Sequence, residues 1–123
     1  MKYLMLLGTT ILSLNAFAQS TLELPSCNLP QQRVQVAQTG GQMTDPRQAH
    51  ISQRANILAA DVSTSRKARK LTQAEADHLV KRIEEIRRQS NRAVKQKGHL
   101  SAADSAAFDD ELDGLAKGMC ATR

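Results

Sequence analysis

The residues of this 123-residue chain with chemical potential are three histidines, several adjacent carboxylates and two cysteines. His50, His78 and His99 are scattered, and no two stand four apart, so the helical pair that binds zinc is missing. Each histidine reads as a surface residue. Glu84-Glu85 and Asp109-Asp110-Glu111 are runs of neighbouring acids. Neighbours on a helix point in different directions, so adjacency alone builds no acid–base pair. Carboxylate catalysis needs a cleft that fixes separation and pKa values. There is no G-x-S-x-G or H-E-x-x-H run, and the serines give no nucleophile signal. No catalytic residue, metal site or cofactor is expected.

Cys27 and Cys120 are too far apart to form a C-x-x-C redox or zinc motif, and neither has a nearby histidine in sequence. An even count in an exported protein predicts one disulfide between them. Export is read from the N-terminus. Lys2 is the only charge before Glu23, an apolar run extends from Leu4 to Leu14, and Asn15-Ala16-Phe17-Ala18 places small residues at a cleavage site. A positive start, a short apolar run and an A-x-A-like site make a signal peptide over residues 1–18. The run falls short of the ~20 residues that span a bilayer. Glu23 and Pro25, just before Cys27, do not suit a lipidated cysteine. The expected compartment is the periplasm or the exterior, with no transmembrane segment after processing.

The strongest remaining signal is charge. Residues 66–97 hold eleven Lys or Arg against four acids, residues 98–123 two against five, and residues 19–65 three against three. Lys81, Arg88, Arg92 and Lys95 recur at helical spacing, away from the apolar positions of their segment. One reading is a docking surface for an anionic protein or envelope surface. The other is a solvated helix face laced by Asp77–Lys81 and Glu84–Arg88 pairs at i,i+4.

Composition narrows the field further. Once Tyr3 and Phe17 leave with the signal, Phe108 is the remaining aromatic residue. Single-strand nucleic-acid binders stack bases on aromatic rings, so nucleic acid is disfavoured as a partner. A core of Leu, Ile, Val, Ala and Met suits helix-on-helix packing.

The positioning elements follow from periodicity and caps. Residues 19–44 read as an extended or irregular arm, with Pro25 and Pro30 blocking helix and Val34 and Val36 allowing a short extended piece. Residues 45–123 read as a helical domain. A first helix near 46–68 opens with Asp45 as N-cap and Pro46, and carries Ile51, Ala55, Leu58 and Val62 on one face. A second near 73–97 opens on a Thr72/Glu75 capping box, lines Ala76, Leu79, Val80, Ile83, Ile86, Ala93 and Val94, and stops at Gly98. A third near 102–119 starts at Ser101, with Phe108, Leu112, Leu115 and Met119 inward. Shifts of 28 and 29 residues superpose Met43-Thr44, Leu71-Thr72 and Leu100-Ser101, as repeated units or simply as three capped helices would. The fold class is all-α, a three-helix bundle with an irregular N-terminal arm.

Two partial resemblances accompany this reading. Gly98-His99-Leu100-Ser101-Ala102-Ala103-Asp104 resembles the second half of an EF-hand calcium loop. The ligand positions of that pattern fall on Ala93, Lys95 and Lys97, so the resemblance implies a helix–loop–helix pair without calcium. Leu71-Thr72-Gln73-Ala74-Glu75 resembles the L-T-x-x-Q signature of small envelope chaperones, with Glu75 in place of Gln. The expected function is a small exported, non-enzymatic interaction protein: chaperone-like, inhibitory or adaptor. The alternatives are a small hydrolase of cell-envelope polymers, or a secreted protein acting outside the producing cell.

Overall fold

The computed structural model describes residues 23–121, and the export signal read over residues 1–18 lies outside them. A 3₁₀ turn at Pro25–Cys27 leads to α1 (Leu29–Arg33), α2 (Pro46–Lys67), α3 (Gln73–Lys97) and α4 (Ala102–Cys120). The fold is all-α. The three long helices form the bundle, with α2 packed on both α3 and α4.

Each long helix starts where its cap lies. The Asp45 carboxylate accepts the Gln48 N–H at 2.9 Å, with Pro46 at the first helical position. Thr72 and Glu75 exchange both bonds of a capping box, at 3.1 and 3.0 Å. The Thr72 backbone N–H, and after it the Thr72 hydroxyl, hold the Glu75 carboxyl below its ordinary range. Ser101 caps α4 by accepting the Asp104 N–H at 3.0 Å. α3 stops at Gly98, which takes the left-handed conformation with φ of 82°. Asp45 also accepts the Leu100 N–H at 3.3 Å, so one carboxylate caps α2 and ties down the α3–α4 turn.

The core is aliphatic. Ile51, Ala55, Leu58 and Val62 of α2 are fully buried against Ile83 and Ile86 of α3 and Leu112 and Met119 of α4. Leu71 and Leu100, each just before a cap, are buried as well. Val80, expected on the inner face, is 39% exposed. It sits about 100° around the helix from Leu79, outside the stripe that Ile83 and Ile86 define. The repeat also slips by one residue at its first unit, because Asp45 and not Thr44 caps α2. The calcium-loop resemblance dissolves for a similar reason: Ala93, Lys95 and Lys97 belong to α3, and Gly98–Ser101 is a short inter-helix turn.

The arm is less irregular than its prolines suggest. Asn28 accepts the Gln31 N–H, and α1 carries Pro30 within its first turn. Proline is tolerated there because the first N–H groups of a helix have no internal acceptor. Val34 and Val36 point outward, 74% and 91% exposed, along a segment with no regular structure.

The disulfide joins Cys27 to Cys120, with Cα atoms 5.9 Å apart. It bolts the 3₁₀ turn to the last residue of α4 and closes 93 residues of chain. Two outcomes follow. The double variant Cys27→Ser/Cys120→Ser should lose about 4–5 kcal/mol of unfolding free energy in urea titration, the chain-entropy value for a loop of this size. Gly98→Ala should cost about 1–2 kcal/mol, since a Cβ there meets no neighbour and the whole penalty is left-handed backbone strain.

Candidate functional site: a basic helix face and a buried charge network

Packing of Ile83 and Ile86 into the bundle fixes the rotation of α3. Lys81, Arg88, Arg92 and Lys95 then share the opposite, exposed face. They span about 21 Å of helix axis at 1.5 Å per residue. The expected i,i+4 pairs do not form. Gln73 donates to Asp77 at 2.7 Å, Arg87 takes Glu84 at 3.4 Å, and Arg88 pairs with Glu85. Lys81, Arg92 and Lys95 have no carboxylate within ion-pair distance among the described residues.

The acids of α4, which could have balanced that charge, are all engaged elsewhere. Asp104 meets Lys97 at 3.4 Å, and Glu111 meets Arg82 at 3.6 Å. Asp109, Asp110 and Asp113 turn toward α1 and α2, where they build a network absent from the sequence-based expectations. Arg54 of α2 is its centre, 3% exposed. Its Nη1 donates to Asp109 Oδ1 and its Nη2 to Asp113 Oδ1, both at 2.7 Å. Nη1 also reaches the Asp109 carbonyl at 3.3 Å. Arg33 of α1 approaches from the rim, donating to Asp113 Oδ2 at 2.7 Å and pairing with Asp110.

His50 completes the set and corrects its expected surface placement. Nε2 lies 2.9 and 3.1 Å from the two Asp109 carboxylate oxygens, and Nδ1 lies 2.8 Å from the Gln35 carbonyl. Gln53 holds the Gln35 side chain at 3.0 Å. Two guanidinium groups and one imidazole thus meet three carboxylates, joining α1, the segment after it, α2 and α4. Burial pushes the Asp109 carboxyl up, but the bonds from His50 and Arg54 outweigh it and hold Asp109 below its ordinary range. A separate buried carboxylate, Asp61, accepts the Ser26 N–H at 2.9 Å and anchors the 3₁₀ turn on α2.

A sequence signal for this network existed. Arg54 lies three residues after Ile51 and four before Leu58, inside the apolar stripe of α2. Asp109 and Asp113 each follow an inward residue, Phe108 and Leu112, and stand four apart on one face. Among the described residues no cluster of His, Cys, Asp or Glu could hold a metal ion, and no helix is long and apolar enough to cross a membrane. No family model, curated protein or solved structure matches this chain.

Removing the guanidinium leaves Asp109 and Asp113 without their buried partner. Breaking a buried pair in this way costs about 3–5 kcal/mol. Arg54→Met should therefore lower the urea midpoint sharply. Lys81→Gln, on the exposed face, should change stability by less than about 0.5 kcal/mol.

Proposed function

We propose that this protein is a small, exported, non-enzymatic interaction module of the periplasm or extracellular space, which docks on an anionic surface through α3. The observation that carries the reading is the asymmetry of charge compensation. Every acid of α4 is paired within the protein. Lys81, Arg92 and Lys95 face solvent with no carboxylate within ion-pair distance, though Glu85 lies within the field of Arg92. Such a line attracts anions over a Debye length, about 8 Å at physiological salt. The disulfide supports the exported location, since such bonds persist in oxidising compartments. The converging carboxylates also fit a non-enzymatic role. Asp109 and Asp113 each commit an oxygen to Arg54.

The Lys81–Lys95 face carries no large apolar side chain, Ile83 and Ile86 are buried in the core, and the exposed Val80 lies to one side of that face. Binding is therefore electrostatic, without insertion into a bilayer.

Cosedimentation with phosphatidylglycerol vesicles, set against phosphatidylcholine vesicles, tests the reading. The protein should pellet with the anionic vesicles alone, and less so as salt rises. Each cation near such a surface contributes about 1 kcal/mol, so Arg88→Gln/Arg92→Gln/Lys95→Gln should bind about a hundredfold more weakly. The triple variant should keep its urea midpoint, since exposed pairs contribute little. Undiminished capture by the triple variant would show that the charges only solvate the helix.

A further inference from the structure

His50 is placed so that both of its ring nitrogens must donate. Nδ1 faces the Gln35 carbonyl at 2.8 Å, and a carbonyl oxygen can only accept. Nε2 faces the Asp109 carboxylate at 2.9 Å, and an ionised carboxylate can only accept. Asp109 is kept ionised by Arg54, which donates to the same oxygen at 2.7 Å. A neutral imidazole has one N–H and one lone pair, so it satisfies one of these contacts and opposes the other. We propose that protonated His50 is a pH-dependent pin, fastening the segment after α1 to the bundle while charged and releasing it on deprotonation.

The surroundings set the sign. Facing His50 are Asp109, then Arg54 and Asp113, with Arg33 and Asp110 at the rim and Arg47 one turn earlier on α2. With His50 charged, three cations balance three carboxylates. Without its proton the cluster is left with one uncompensated negative charge. The bond to Asp109 is the largest influence raising the His50 pKa above its ordinary 6.5; burial opposes it, and the Gln35 carbonyl adds to it. A raised folded-state pKa means that the pin is fully effective below about pH 6.5 and is lost as pH rises through the folded value.

The release would be local. Residues 35–39 have no regular structure, and Val34 and Val36 are already exposed, so apolar burial does little to hold this stretch. What holds it is the His50 bond, the Gln53 bond and contact with α2. Upstream, Cys27 is covalently fixed to Cys120, and Arg33 keeps its own carboxylates. Downstream, Asp45 caps α2. The segment between these anchors can therefore loosen without unfolding the bundle. Loosening would uncover the groove it forms with Ala49, Ser52, Gln53 and Asn56 of α2.

Nuclear magnetic resonance of the disulfide-bonded protein tests this directly. Nitrogen shifts of the His50 ring should report both nitrogens protonated at pH 6, with a titration midpoint above 6.5. Heteronuclear NOE values of residues 34–39 should fall across that same midpoint, while those of α3 stay constant. His50→Phe, which keeps a flat ring without N–H groups, should show the loosened segment at every pH and no transition. A midpoint at or below 6.5, or a segment that stays rigid through the His50 titration, would overturn the proposal. Should His50→Phe fail to fold, the wild-type titration decides alone.

Discussion

The architecture depends on where one guanidinium is buried. Taking Arg54 out of water costs several kcal/mol unless its donors are met. Its two Nη groups are met by two carboxylates one helical turn apart, Asp109 and Asp113, each at 2.7 Å, while the buried Nε finds no partner among the described residues. That match is directional, unlike the packing of the aliphatic core around Ile51 and Leu112. Aliphatic packing would tolerate α4 rotated or shifted along α2 by part of a turn. The two-pronged bond would not, because the two prongs and the two acids have one common register. The apolar residues drive the helices together, and Arg54 selects which of their packings is kept. Arg33 and His50 then use the remaining oxygens of the same acids, so the order of the arm depends on the order of the pair beneath it.

The charge on the outside follows from the charge on the inside. α4 is the acidic helix and lies beside α3, the basic one. Had its carboxylates faced across to α3, the two would have neutralised each other along their length. Instead three of the five turn toward α1 and α2, and α3 receives Lys97–Asp104 and Arg82–Glu111 at its edges. Its outer face is left positive by the same inward commitment that sets the helix register. A substitution in the network would thus reach the surface field indirectly, through the rotation of α4.

Much of this was legible in the sequence, and the parts that were share a physical property. Thr72 with Glu75, Asp45 with Pro46, and Gly98 act over three or four residues, so spacing alone identifies them. The inward stripes of Ile51, Leu58, Ile83 and Leu112 follow the helical period. The disulfide was legible from the count of cysteines. The network was not, because its partners lie 55 to 80 residues apart and a buried arginine has the same letter as an exposed one. Periodicity marks where the apolar residues point and carries no information on the partner of a charged residue among them. Arg54 is the one charged residue between Ile51 and Leu58, and it breaks that stripe. Pro30 misled for a different reason, since its effect on a helix depends on which turn it occupies.

The disulfide has a mechanical consequence. Cys27 and Cys120 bracket all three long helices, and their Cα atoms are 5.9 Å apart. Tension applied through residues before Cys27 and after Cys120 would pass from one sulfur to the other and leave the 93-residue loop between them unloaded. A tether fused to both sides could be pulled hard without drawing out a helix, until the covalent bond itself was reduced. The same chain with thiols would transmit that force into α4 and unzip the bundle from its last turn. Oxidation therefore takes the three long helices off the line of force between the two ends.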